Sequence, residues 1–165
     1  MGGTSEKLRA LGVETLAVTE DRLDPIRRYF RVRPARVPLA TDVERSIHRA
    51  YGCPMPPFTG AYKELWATTR INPTGEAPEP MPVDDLQSWL KKHHRFGDIP
   101  EDQAVNDQYP PRDYKIHVGH FLIDRTGIVR WVHIETPIDD VSRYGQLPTE
   151  AEILAAARES LGARA

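Results

Sequence analysis

The spacing of apolar residues predicts alternating strands and helices in the first third of the chain. Residues 13–18 form a short apolar run that is typical of a buried strand, and a helix is expected to end just before it. A second helix is expected to begin at Asp24-Pro25, because aspartate caps helix starts and proline suits the first helical position. A short, irregular strand at residues 36–40 and a helix at residues 42–51 follow.

The same kind of pattern returns near the carboxyl end. Residues 121–123 and 128–134 are typical of two strands in a hairpin, and residues 124–127 supply a turn that ends in glycine. A closing helix is expected after Pro148. Thr149 and Glu152 there have the spacing of a capping box, in which each side chain bonds the backbone N–H of the other.

Between these parts lies a proline-rich stretch, residues 53–115, which holds ten of the fifteen prolines. Proline removes a backbone donor and breaks helices, so most of this stretch is expected to be an irregular insert, apart from one helix near Asp84. Long inserts in compact domains are often lids or binding loops. Four apolar anchors argue against full disorder, namely Phe58, Tyr62, Leu65 and Trp66.

Composition narrows the class of protein. The 165 residues are 39% hydrophobic and 28% charged, which predicts one globular domain that spans residues 1–165. A net charge of -2 gives no reason to expect nucleic acid or an anionic membrane as a partner. No apolar run approaches the length of a membrane span, and the first residues lack the apolar core of a signal peptide. A cytoplasmic location is therefore expected.

Cysteine usage excludes several kinds of chemistry. Cys53 is the only cysteine, so this chain can form no internal disulfide, no CxxC redox pair and no zinc site of several thiolates. It follows a predicted helix end, where the helix dipole disfavours a thiolate. Cys53 is either a redox thiol that pairs with another chain or a substrate, or an inert, partly buried thiol. The second interpretation is favoured.

Three histidines fall on the predicted hairpin and are the main candidates for chemistry. Because side chains alternate along a strand, His133 shares a face with His120 if the loop is regular, and with His117 if it contains a bulge. Two imidazoles on neighbouring strands can ligate a metal or act as acid and base, and Glu135 is a third candidate ligand. The catalytic candidates are His117, His120, His133 and Cys53, and the metal candidates are His120, His133 and Glu135. Ordinary hydrogen-bonded histidines are the alternative.

Two further motifs are better explained by structure than by function. The basic residues 91–95, with His93-His94, fit cations at a helix carboxyl end better than an anion-binding patch. Residues 109–114 fit a rigid connector better than a polyproline contact for a partner.

The order of four stretches along the chain points to a known family. They are residues 8–21, residues 42–52 with a D…YG pattern, residues 119–130 (GHFLIDRTGIVR) and residues 148–161. In this order they resemble the AhpC/TSA peroxiredoxin and thioredoxin-like superfamily. They look like its second-strand region, its D…YG helix, its G-x-F-L-I-D-x-x-G-x-[IV]-R hairpin and its closing helix. The resemblance implies an α/β fold, a thioredoxin-like (peroxiredoxin-like) sheet with flanking helices, and an oxidoreductase family.

The differences from that family are as informative as the similarities. Its members normally begin with a strand and a helix that carry the reactive cysteine, and this chain starts after that point, so the fold is expected to be incomplete or rearranged at the amino terminus. Peroxidase or disulfide-exchange chemistry cannot be transferred to these residues. The strand that is missing is normally central, and its absence would leave strand edges unpaired. A second copy, a partner chain or a rearrangement is expected to complete the sheet.

Three functions remain open at this stage. The first is a thioredoxin-like or peroxiredoxin-like oxidoreductase-family protein without the usual redox cysteine motif in this chain. The second is a non-redox enzyme, or a protein that binds a small-molecule ligand or a metal, built around a histidine-lined pocket. The third is a partner subunit. No P-loop, dinucleotide fingerprint or HExxH motif identifies a cofactor.

Overall fold

The computed structural model describes residues 2–32, 36–93, 114–136 and 141–162. The helices in these ranges are α1 Gly2–Ala10, α2 Leu23–Val32, α3 Ser46–Ala50, α4 Gly60–Thr68, α5 Val83–His93 and α6 Glu150–Gly162. The strands are β1 Ala17–Thr19, β2 Leu39–Thr41, β3 Arg70–Ile71, β4 Met81–Pro82, β5 Gly119–Ile123 and β6 Val129–Ile134. The mixed α/β class is confirmed. The strands pair as three two-stranded sheets, β1 with β2, β3 with β4 and β5 with β6.

The chain divides into two compact units. Unit 1 consists of Met1–Ile47, Gly119–His133 and Leu147–Ala165, and unit 2 consists of His48–Val118 and Ile134–Gln146. Each unit has its own apolar cluster. The proline-rich stretch falls inside unit 2.

Helices α1 and α6 form the core of unit 1. Leu8 of α1 is buried against Leu154 and Ala157, which lie three residues apart on one face of α6. Lys7 pairs with the carboxylate of Glu150 at the start of α6, where the helix dipole favours negative charge. The predicted capping box is present, because the N–H of Thr149 donates to the Glu152 carboxylate (2.7 Å) and the N–H of Glu152 donates to the Thr149 hydroxyl (3.2 Å).

Strands β1 and β2 are parallel, with Ala17 opposite Leu39 and Val18 opposite Ala40. The strand predicted at residues 13–18 is shorter and lies further along the chain, and it is half-buried. Leu16 is 62% exposed. The physical reason is that β1 has one partner strand in its sheet, whereas a fully buried parallel strand has neighbours on both edges and cover on both faces.

The hairpin of β5 and β6 forms as predicted. The N–H of Asp124 donates to the carbonyl of Ile128 (2.9 Å), which closes the turn. Gly127 has a φ of 84°, the left-handed conformation for which glycine is favoured. The carboxylate of Asp124 accepts hydrogen bonds from the Thr126 hydroxyl, the N–H of Ile128 and the guanidinium of Arg130.

This turn should make unit 1 sensitive to acid. The hydrogen bond from Thr126, with those from Ile128 and Arg130, holds the pKa of Asp124 well below its usual range. A depressed carboxyl pKa stabilises the fold fully above the unfolded value of about 3.9, and that contribution is lost as the pH falls below it. We expect Asp124→Asn to destabilise the protein near neutral pH, with a difference from wild type that shrinks as the medium becomes acidic. Urea unfolding at a series of pH values measures this. A difference that does not change with pH would contradict the assignment.

Helix α3 is shorter than the predicted helix at residues 42–51. The buried carboxylate of Asp42 accepts the N–H groups of Ser46 and Ile47, both at 2.9 Å. Asp42 thus satisfies free N–H donors at the helix start, and the helix begins four residues after it. Arg45, just before that start, has a φ of 56° and keeps the preceding residues out of the helix.

The prediction that most of the proline-rich stretch is irregular is wrong for residues 53–93. These residues form α4, the β3–β4 sheet and α5, packed in one apolar cluster of buried side chains: Trp66, Ile71, Ala77, Val83, Leu86 and Val141. The prolines lie between or at the ends of elements, where a missing N–H removes no helical hydrogen bond. Pro82 ends β4 immediately before α5 begins.

Candidate functional site: a buried histidine and its tyrosine partner

An extended segment at residues 114–117 brings His117 into unit 2. The N–H of Lys115 donates to the carbonyl of Pro56, and the N–H of His117 donates to the carbonyl of Pro54, both at 3.0 Å. Proline has no N–H but keeps its carbonyl acceptor, so it can hold an extended neighbour on one side. Because side chains alternate along an extended chain, Lys115 and His117 lie on the same side of the segment.

Both ring nitrogens of His117 are hydrogen-bonded, and the side chain is fully buried. Nδ1 lies 2.8 Å from the carbonyl oxygen of Thr136, and Nε2 lies 2.5 Å from the hydroxyl of Tyr62. A carbonyl only accepts, so Nδ1 carries a proton. In the neutral imidazole, Nε2 is then the lone-pair nitrogen that accepts the Tyr62 hydroxyl proton.

Tyr62 is a proton donor in this arrangement. Burial first, and then electrostatic interaction with Tyr144 and Glu135, raises the pKa of Tyr62 to about 12. The phenol therefore stays protonated near neutral pH and donates to His117. Tyr62 as a whole is half-buried, whereas its partner His117 is fully buried.

Glu135 and Tyr144 complete the site. The carboxylate of Glu135, 3% exposed, accepts the N–H of Val118 (3.1 Å) and the N–H of Gly145 (2.6 Å). The amide of Gln87 donates to the Tyr144 hydroxyl at 2.9 Å. Burial first, and then the charge of Glu135, raises the pKa of Tyr144 to about 12. The site thus contains a buried carboxylate held by backbone donors and two protonated phenols.

We call His117, Tyr62, Tyr144 and Glu135 the histidine–tyrosine cluster. The His117 ring centroid is 6.0 Å from that of Tyr62 and 6.5 Å from that of Tyr144. All four residues belong to unit 2.

A lysine lies beside this cluster on aromatic faces. The ammonium of Lys115 is 4.3 Å from the ring centroid of Phe58 and 4.5 Å from that of Trp66, which is cation–π geometry. Burial lowers the pKa of Lys115, and the negative charge of Asp84 opposes that shift. Lys115 is half-buried, so its positive charge is partly desolvated. It lies on the same side of segment 114–117 as His117.

Cys53 has the properties of an inert thiol. It is 9% exposed, its N–H donates to the carbonyl of His48 (2.9 Å), and it follows the carboxyl end of α3. Burial raises the pKa of the thiol. Burial and position both oppose formation of the thiolate, which is the reactive species.

We therefore expect no fast peroxide reduction that depends on Cys53. The folded chain should react slowly with a thiol-specific reagent at neutral pH, and the rate should rise when urea exposes the thiol. Stopped-flow peroxide reduction and thiol labelling measure both effects, with Cys53→Ser as the blank. Rapid turnover that Cys53→Ser abolishes would contradict this prediction.

The other two candidate histidines lie together in unit 1. The ring centroids of His120 and His133 are 6.0 Å apart with the planes at 68°, so His133 has His120 as its neighbour, as a regular hairpin predicts. Trp131 stacks on His133 at 6.2 Å and 19°. Burial first, and then the charge of His133, lowers the pKa of His120.

Within the described ranges, no three His, Cys, Asp or Glu side chains are grouped closely enough to hold a metal ion. His120, His133 and Glu135 therefore do not form the predicted three-ligand group, and both carboxylate oxygens of Glu135 are engaged by backbone N–H donors. His93 stacks on Trp89 at 4.5 Å. His94 and residues 109–113 lie outside the described residues.

Sequence reasoning missed Tyr62, Tyr144 and Lys115 as site residues. Phe58, Tyr62 and Trp66 recur at intervals of four, which is a helical face, and this was the available signal for Tyr62. Tyr144 lies in a turn region with no periodicity, so no comparable signal existed for it.

Comparison of the chain with known protein families, with curated proteins and with solved structures finds no match. None of the helices in the described ranges has the length and apolar character needed to span a bilayer.

Proposed function

We propose that this chain is a thioredoxin-like, peroxiredoxin-like member of the oxidoreductase superfamily whose own residues carry out a non-thiol function. The histidine–tyrosine cluster binds a small molecule and exchanges a proton with it. One observation carries the proposal: the Thr136 carbonyl holds the proton on Nδ1 of buried His117, which leaves Nε2 as a base directed at the Tyr62 hydroxyl.

The proton path follows from this geometry. A proton that leaves a bound ligand is accepted by the Tyr62 oxygen, while the proton of Tyr62 moves to Nε2 of His117. The imidazole becomes an imidazolium with protons on both nitrogens. The reverse movement delivers a proton to the ligand. Tyr62 thus acts as the contact residue and His117 as the proton store.

The charge beside the cluster indicates the class of ligand. Lys115 places an ammonium on the faces of Phe58 and Trp66, on the same side of the chain as His117. A partly desolvated cation attracts an anion more strongly than a fully hydrated one does. The ligand proposed here is a small molecule with a carboxylate.

Ligand-observed NMR with a panel of small carboxylic acids tests this function. We expect binding to the wild type, a loss of at least about tenfold in affinity with Lys115→Met, and a weaker effect with Tyr62→Phe, since one charged contact outweighs one neutral hydrogen bond. Lys63→Met, at an exposed position on α4, is the matched control. Long-range ¹H–¹⁵N spectra should show His117 protonated at Nδ1. No binding, or equal loss in both lysine variants, would overturn the proposal.

A second candidate function is that of a partner subunit or homo-oligomer that completes its sheet. Strands β1–β2 and β5–β6 form separate pairs in unit 1, and apolar side chains there are exposed, including Leu16 (62%), Ile128 (52%) and Val132 (48%). Open edges with apolar side chains are usually paired or covered in native proteins. Light scattering over a dilution series should show a mass above 18.7 kDa. A compact monomer at all concentrations would exclude this candidate. The reducing cytoplasm, where lone thiols persist, is the proposed location.

A further inference from the structure

The hairpin of unit 1 contains a pair of imidazoles that the proposed function does not use. We call His120 and His133 the histidine pair. His120 lies on β5 and His133 on β6, so two neighbouring strands hold the rings rather than mobile loops. Strand positions fix the direction of a side chain more firmly than loop positions do.

The spacing of the pair suits one bound ion. Metal–imidazole nitrogen distances of about 2.0–2.1 Å place two rings on one ion with their centroids roughly 5 to 6.5 Å apart. The observed separation is 6.0 Å, and the planes are inclined at 68°. Two rings on one tetrahedral ion are not required to be coplanar, so this inclination needs no rearrangement of the backbone.

One nitrogen of the pair is left without a partner. Nδ1 of His120 is buried and has no hydrogen bond among the described residues. Buried polar nitrogens are nearly always satisfied, because an unsatisfied one loses its hydration with nothing in return. A coordinated ion is a partner that satisfies an imidazole lone pair.

We infer that the histidine pair binds a divalent transition-metal ion of the kind that imidazole prefers, such as Cu²⁺ or Zn²⁺. His120 and His133 supply two nitrogens, and water or an external ligand fills the remaining positions, since the described residues supply no third side chain at this point. Such an ion has open positions, as catalytic sites do and closed structural sites do not. The inference concerns unit 1 and is independent of the function proposed for unit 2.

Trp131 provides a local reporter for the test. Its ring stacks on His133 at 6.2 Å, whereas Trp66 and Trp89 belong to unit 2. Untagged protein is titrated with Cu²⁺ while tryptophan fluorescence is recorded, and Zn²⁺ binding is measured by calorimetry. We expect saturation at one ion per chain with quenching of Trp131. The variant Trp131→Phe should keep the Zn²⁺ binding and lose most of the quenching.

Substitutions of the two proposed metal ligands test the inference. His120→Ala and His133→Ala should each weaken binding at least about tenfold, since changes even beyond the ligands cost about 10- to 100-fold in metal affinity. His93→Ala, an exposed histidine of unit 2, should bind as the wild type does. If an alanine variant is unstable, His133→Gln replaces it as the test of metal binding, and its folding is checked by circular dichroism. Binding that survives loss of His133, that disappears with His93→Ala, or that never reaches saturation would overturn the inference.

Discussion

Replacing Trp66 with alanine is expected to lower the free energy of unfolding of unit 2 by about 3 to 5 kcal/mol, the range measured when large aromatic side chains are removed from cores. Trp66 is fully buried within the apolar cluster of unit 2. Its ring lies 4.6 Å from that of Tyr144, and its indole N–H donates to the carboxylate of Asp84 at 2.5 Å. The alanine variant therefore leaves a cavity and also removes the donor to Asp84.

The same substitution should impair the candidate site. Lys115 rests on the faces of Trp66 and Phe58, so losing one face frees the ammonium and weakens any carboxylate binding that depends on its position. Urea unfolding followed by far-UV circular dichroism measures stability without relying on tryptophan emission. Trp66→Phe fills part of the cavity and should therefore lose less stability than Trp66→Ala does.

Trp89 provides the matched control for Trp66. It is half-buried at the edge of the same cluster, on α5. Because part of its surface already contacts water, Trp89→Ala should cost clearly less than Trp66→Ala. If the two alanine variants are equally stable, Trp66 is not the centre of the unit 2 core and the first prediction is wrong.

Glu135→Ala is expected to destabilise unit 2 by about 2 to 4 kcal/mol, because its buried carboxylate accepts two backbone N–H groups and a hydrogen bond to a charged group contributes about 1.5–3 kcal/mol. The carboxylate bridges the N–H of Val118 and the N–H of Gly145, which lie 27 positions apart in the chain. Its removal disconnects the segment that carries His117 from the turn that carries Tyr144. Activity of the cluster should fall together with stability.

Hydrogen exchange measured by NMR locates this effect. In Glu135→Ala, the amides of Val118 and Gly145 should exchange faster than they do in the wild type, and by more than amides elsewhere in unit 2. Glu135→Gln retains one acceptor oxygen and should show a smaller loss. Glu64→Ala, at an exposed site on α4, is the control. Unchanged protection at both amides would show that another group accepts these protons.

Local chemistry in the sequence was enough to predict several elements. The capping box joins Thr149 to Glu152, three positions apart, and the hairpin turn joins Asp124 to residues two to six positions away. Gly127 marks the turn because its φ of 84° is strained for other residues. Such bonds form between near neighbours, so spacing and residue type predict them directly. The regular register of the same turn also predicts that His133 lies near His120.

The proline content of residues 53–93 was misleading because it carries information about local conformation only. Proline excludes helix interiors but does not say how short helices between prolines will pack. In the structure, α4 and α5 lie on either side of the β3–β4 sheet in sequence and share one apolar cluster around Trp66. Burial of that tryptophan is a tertiary property, which no spacing of residues expresses.

Residue types and local spacing determined the α/β class, the hairpin, the caps and the absence of a cysteine pair. Only the tertiary structure decided that Tyr62 is the hydrogen-bond partner of His117. His117 meets Tyr62 across 55 positions of the chain, and the Glu135 carboxylate reaches back 17 positions to Val118. Contacts at such separations depend on how whole elements pack, because periodicity and turn chemistry constrain only residues within a few positions of one another.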